Sequence, residues 1–263
     1  MSDQDFILYE AKGRIATITI HRPDKANSCN IPMLKAIHQK LIEADKDERI
    51  KCIIIKSTGE KFFSAGYDLK EIQGSPEQAA GITEWGRKVN YTILLLKKPV
   101  ITQVQGIAVG FGVLLILASD LRIFADRPKD DLYIRLPELA ISAFPQTGAT
   151  LLPLLAFGVS FAKYALFSAD KIDLEELKNI SFPSRIFPLD QLEKETLNFA
   201  KQIVKYQKEF SFFTKTMLTI MNKAYIKSCL DLEEECGKVA YDPKKFTMKE
   251  LDDFIQGLYK KYP

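Results

Sequence analysis

A chain of 263 residues with 46% hydrophobic composition can bury roughly three quarters of its unfolded surface, enough for one large core and a small appendage. Its 37 basic and 34 acidic residues leave a net charge of +3, far short of the asymmetry of a nucleic-acid-binding protein but compatible with a phosphorylated small molecule. The four cysteines, Cys29, Cys52, Cys229 and Cys236, form no C-x-x-C pair, which argues against a zinc site or a disulfide framework. The opening MSDQDFILYE lacks a basic-then-apolar secretory pattern, and the longest apolar runs read as too short for a bilayer. The expectation is a soluble, cytoplasmic protein with reduced thiols.

Along the chain, IATITI (Ile15 to Ile20) is β-branched, while IPMLKAIHQKLIEADKD (Ile31 to Asp47) spaces its apolar residues at helical intervals. CIIIKS (Cys52 to Ser57) is a continuous apolar run typical of a strand buried on both faces. That order is βαβ and predicts a parallel sheet in an α/β fold. A second round follows, with a helix around Glu84 to Leu96, a strand at Val100 to Val104, an apolar helix from Phe111 to Ala118 and a strand at Leu121 to Ala125. After about residue 185 the pattern turns to charged helices. Residues 1–185 therefore read as the core and 186–263 as a helical region that covers a site or mediates self-association.

Three segments carry candidate chemistry: KFFSAGYDLKEI (Lys61 to Ile72), QGIAVGFGVLLILASDLRIFAD (Gln105 to Asp126) and LPELAISAFPQTGAT (Leu136 to Thr150). The first sets a small-residue turn, Ser64-Ala65-Gly66, just after a buried strand, where the carboxyl ends of α/β sheets bind ligands. In the second, Gly106, Gly110 and Gly112 precede an apolar helix whose free N–H groups and dipole favour an anion near Phe111. The glycine spacing is neither a dinucleotide fingerprint nor a Walker loop, and tight strand-to-helix packing is the plain alternative.

In this order and spacing the three segments resemble the crotonase (enoyl-CoA hydratase/isomerase) family, and the likeness runs from HRPDKANS (His21 to Ser28) to about Pro153. The resemblance implies a ββα-spiral core with a C-terminal helical trimerisation region, assembling as a homotrimer or homohexamer. It implies an acyl-CoA thioester as substrate, with coenzyme A part of that substrate and no metal or other cofactor. The backbone N–H groups of Tyr67 and Phe111 become the oxyanion hole, and Glu138 the catalytic acid or base. Lys25, Ala26, Ser28, Ala65, Gly66, Asp68, Leu69, Lys70, Gly110 and Leu114 fall where the family contacts substrate and the CoA moiety. For Lys25 and Lys70 a solvated surface charge is the alternative, as it is for the C-terminal lysines 244, 245, 260 and 261.

Hydratases of this family hold a water between two carboxylates; the first of these positions is Leu114 here and the second Glu138. Shifting a double bond from C3 to C2 needs only one base, which takes the C2 proton and returns it at C4. The pattern is similar to the mitochondrial-type Δ3,Δ2-enoyl-CoA isomerases, so 3-enoyl-CoA isomerisation is the first expectation. Another isomerase branch carries its Glu at the place of Gln146, and Gln146 and Leu114 count against the dienoyl-CoA isomerases. The alternatives are a divergent hydratase, decarboxylase or hydrolase using another acid, with Asp68, Glu71 and Asp120 nearby, and a catalytically silent acyl-CoA-binding subunit. His21 and His38 match no catalytic position.

Overall fold

The computed structural model describes residues 6–262 except 243 and 245, so Lys245 lies outside the described residues. Ten strands, β1 to β10, and ten α-helices, α1 to α10, are found among them. Six strands form a large sheet in the order β1-β2-β3-β5-β7-β10, and four form a small sheet in the order β4-β6-β8-β9.

The chain winds as a repeating unit. β3 (Cys52–Ser57) lies in the large sheet, β4 (Phe62–Ser64) in the small one, and α2 (Leu69–Ile72) and α3 (Pro76–Leu95) follow. The next turns are β5 (Val100–Val104), β6 (Ile107–Val109), α4 (Phe111–Ala118), and then β7 (Leu121–Asp126), β8 (Tyr133–Arg135), α5 (Leu151–Ser168). This is a ββα spiral. β1 (Ile7–Lys12) pairs antiparallel with β2 (Ile15–Ile20), and every other pair in the large sheet is parallel. The continuous β-branched runs of β2 and β3 pair in register, Ile18 with Ile55 and Ala16 with Ile53, all four residues buried. Such runs suit a sheet covered on both faces.

α1 (Ile31–Lys46) starts at Asn30, whose side chain caps it by accepting from the Met33 N–H, and buries Met33, Leu34, Ile37, Leu41 and Ala44. α4 is buried at all eight residues. α5 is the described helix long and apolar enough, by length and composition alone, to cross a membrane. Gly158, at φ 76° and ψ 167°, breaks that helix into two pieces.

β9 (Ile172–Asp173) and α6 (Leu174–Asn179) lead to β10 (Arg185–Pro188), which pairs with β7. The boundary expected at 185/186 thus falls inside a strand of the large sheet. The helices beyond are α7 (Leu189–Ile203), α8 (Lys208–Ile220), α9 (Lys223–Ala240) and α10 (Met248–Lys261). α8 docks through Lys215, whose buried ammonium donates to the carbonyls of Ile93 and Lys98 and pairs with Asp120 at 2.7 Å.

Candidate active site

The three segments singled out by sequence follow β4, β6 and β8, three neighbouring parallel strands of the small sheet. Their carboxyl ends therefore open side by side, which is where parallel sheets bind ligands. The sheet concerned is the small one; sequence reasoning had put the first turn after a buried strand without seeing that a second sheet exists.

Two positive-φ glycines shape the two donor turns, Gly66 at φ 93° and Gly110 at φ 52°. Only a residue lacking Cβ takes such angles freely. A Cβ on Gly66 would also lie 2.8 Å from the Val109 carbonyl oxygen and 3.2 Å from the Phe111 nitrogen, so the two turns are in close contact. Among the described residues the backbone N–H groups of Tyr67 and Phe111 make no backbone hydrogen bond. Phe111 opens α4, so its N–H belongs to the unsatisfied first turn at the positive end of the helix dipole. Gly106 and Gly112 do pack as the plain alternative has it: a Cβ on Gly112 would stand 2.5 Å from the Ser64 carbonyl oxygen, and one on Gly106 would meet the Lys61 carbonyl.

The Tyr67 and Phe111 rings stack with centroids 4.7 Å apart and planes 16° from parallel. Tyr67 Oη is buried without a hydrogen-bond partner and lies against Gly86 of α3. Burial pushes this phenol well above the ordinary tyrosine range, so it is a neutral hydroxyl near neutral pH.

Glu138 follows β8 by three residues. Its Oε2 is sealed from solvent with no hydrogen-bond partner, and its Oε1 lies 3.8 Å from where a Gly110 Cβ would be. Burial, with a smaller contribution from the charge of Glu233, raises its pKa to about 7. A carboxyl with that value exchanges protons readily near neutral pH. Leu114, one turn into α4, is fully buried and apolar, as are its neighbours on that helix. Gln146 turns toward α9, where its amide packs on Gly237.

The CoA-contact candidates are joined by a stitch of hydrogen bonds. Ala65 N–H donates to the Ala26 carbonyl at 2.9 Å, Ser64 Oγ to the Asn27 carbonyl at 2.8 Å, and Asp68 N–H to the Cys29 carbonyl at 2.8 Å. Lys25, Leu69 and Lys70 are exposed beside this stitch, and Ser28 and Ala65 are half-buried. Asp68 is committed elsewhere: it pairs with Arg22 at 2.7 Å and caps α2 by accepting from the Lys70 N–H, and that pairing holds its carboxyl below the usual range against the opposing effect of burial. Glu71 is half-buried, and Asp120 is held by Lys215 and the Val100 N–H. His21 bonds Thr58, and His38 bonds Thr92 and packs edge-on against Trp85.

Sequence reasoning missed Arg22, which also donates to the Ser28 carbonyl, and the buried Asn27, whose side-chain amide donates to the Thr58 and Phe62 carbonyls. It missed Glu233 as well. Both Arg22 and Asn27 sit in HRPDKANS, where an Arg and an Asn in a turn were the available signal.

A family model described as enoyl-CoA hydratase/isomerase matches residues 10–249. The chain is 29% identical to a short-chain-enoyl-CoA hydratase of Clostridium acetobutylicum over 75% of each chain. It is 26% identical to a trans-2-decenoyl-[acyl-carrier-protein] isomerase of Streptococcus mutans over 72% of each; hydratase is the commoner name among such relatives. A crystal structure of an enoyl-CoA hydratase from Bacillus anthracis superposes with a TM-score of 0.77 at 25% identity, covering 96% of both chains. With its spiral of paired strands, its two unbonded amide donors and a family match over most of its length, this chain belongs to the enoyl-CoA hydratase/isomerase family.

Proposed function

We propose that this enzyme moves the double bond of a 3-enoyl-CoA to give the trans-2-enoyl-CoA, with Glu138 as the only base. The thioester oxygen accepts from the N–H groups of Tyr67 and Phe111. Glu138, as carboxylate, takes a proton from C2; the electron pair of that C–H bond becomes the enolate, whose oxyanion the two donors stabilise. The enolate then collapses with protonation at C4 by the Glu138 carboxylic acid, and the double bond lies between C2 and C3. Removing one such donor in comparable sites costs about 3 to 4 kcal/mol of barrier.

The observation that carries this reading is the pairing of Glu138, whose Oε2 is sealed and unpartnered, with a wholly apolar α4, in which Leu114 occupies the position of the other hydratase carboxylate. A lone proton carrier in an apolar setting favours internal proton return over attack by water. The same reading gives residues 189–262 a role in assembling a trimer or hexamer. It is supported by α8 and the residue that caps it, where Phe213, Met217 and Met221 are 64%, 63% and 84% exposed, an apolar face of the kind that marks an interface.

The test uses purified protein with 3-hexenoyl-CoA and with crotonyl-CoA. Conjugated enoyl-thioester absorbance is expected to grow with the first and to stay constant with the second; its loss from crotonyl-CoA would make the enzyme a hydratase. Glu138→Gln is expected to cut the isomerisation rate by about 10²-fold or more while CoA-ester binding persists. Unchanged turnover in that variant would remove Glu138 from the chemistry.

A further inference from the structure

α9 belongs to the C-terminal helices, yet one of its faces lies along residues 144–151, the stretch that follows Glu138. We propose that Glu233 is a positioning residue for Glu138, acting with Gly237 and Tyr241 as a clamp that fixes the base-bearing segment from the opposite end of the sequence. This rests on the reading of Glu138 as the base.

The three residues are spaced i, i+4 and i+8, so they share one side of the helix. At one end, the Glu233 carboxylate accepts from the Gly148 N–H at 2.6 Å, the Thr150 N–H at 2.9 Å, the Thr150 hydroxyl at 2.5 Å and the Leu151 N–H at 3.3 Å. All four partners are donors. A carboxylic acid would need an acceptor for its own proton, so the arrangement suits the anion, and the start of α5 suits it too. Burial alone raises the Glu233 pKa; the four donors oppose that effect. Thr150, the N-cap of α5, makes no side-chain cap of its own, so the cap is delivered across the fold by α9.

In the middle, Gly237 leaves room for the Gln146 amide, which a Cβ there would strike. At the far end, Tyr241 Oη accepts from the Phe144 N–H at 2.8 Å. The neighbouring Ala143 N–H donates to the carbonyl of Glu138 itself at 2.8 Å. Tyr241 therefore holds the residue next to the one that closes the Glu138 turn. The segment has reason to need holding, since Ser142 and Thr147 are non-glycine residues at φ 56° and 65°, a conformation that costs of order 1 kcal/mol each.

The clamp also has an electrostatic arm. Glu138 faces Tyr67 and Glu233, and Glu233 faces Glu138, Tyr67, Cys229 and Cys236. Neutralising Glu233 removes a like charge from beside Glu138, and loosening the segment lets water reach it. Both changes lower the Glu138 pKa.

The experiment compares E233Q, Y241F and E138Q in the full chain, measuring 3-hexenoyl-CoA turnover across pH together with thermal melting. E233Q is expected to lower kcat about 10-fold with KM changed less than about 3-fold, and to move the acidic limb of kcat/KM about half a pH unit toward acid. Y241F is expected to lower kcat about 3-fold with little change in melting temperature. An inactive E138Q beside an E233Q and a Y241F of unaltered kcat and pH profile would overturn the clamp and leave the base assignment standing. A fully active E138Q would overturn the base, and the clamp with it. Should E233Q fail to fold, Y241F decides, because it removes only a hydroxyl from an exposed residue; unaltered kcat there overturns the proposal.

Discussion

α4 and α8 are both apolar helices, and they end differently. All eight residues of α4 are buried inside the spiral, whereas α8 keeps Phe210, Phe213, Met217, Leu218 and Ile220 exposed. One helix is completed by its own chain, with glycines cutting away the space for strand and turn to meet it. The other is anchored by the buried ammonium of Lys215 and by the Thr219 hydroxyl, which donates to the Leu94 carbonyl, and leaves its greasy side outward. The core thus encodes geometry at the cost of tolerance, and the C-terminal helices encode attachment.

The sharpest way to break that contrast is at the core. Gly112→Ala is expected to destabilise the fold by about 3 kcal/mol and to reduce turnover, because its Cβ would meet the Ser64 backbone rather than a movable side chain. Denaturant unfolding checks it, and a cost under about 0.5 kcal/mol would mean the α4 contact is loose.

Next in size is the pH dependence of Glu138. Its folded-state pKa of about 7 lies above the unfolded carboxylate value near 4.3. The folded state therefore holds its proton more tightly. The resulting destabilisation is absent below about pH 4, grows as pH rises, and is complete above about pH 7. The full shift would be worth about 3.6 kcal/mol at pH 8; because Glu138 is half-buried and partly screened, Glu138→Gln is expected to stabilise the protein by about 2 kcal/mol at pH 8 and by almost nothing at pH 4, measured by unfolding at both. Equal effects at the two pH values would contradict a buried carboxyl.

The smallest effect on the fold, and the largest on assembly, is expected from Met217→Lys with Met221→Lys. Each should change chain stability by no more than about 0.5 kcal/mol, while light scattering reports a fall from an oligomer to a monomer. A parent protein that is already monomeric would remove the role given to α8.

The large sheet and α4 were readable because continuous β-branched or apolar runs such as Cys52–Ser57 and Phe111–Ala118 leave little choice of period. The small sheet was not, since β4, β6 and β8 have three residues each, too few for alternation to register. The family resemblance of three short segments pointed to Tyr67, Phe111, Leu114 and Glu138 as candidates. The long-range bonds that hold them were invisible, because nothing in local spacing links Arg22 to Asp68 or Glu233 to Thr150. The break between α8 and α9 at Met221 and Asn222 has no local signal, because residues 212–228 contain neither Gly nor Pro.

β10 carries a practical consequence. A shortened chain stopped at residue 184 would strip β7 of its outer neighbour and bare a row of amide and carbonyl groups along a hydrophobic strand, an invitation to edge-to-edge aggregation. The spiral can be expected to survive dissection only when the cut falls beyond Pro188.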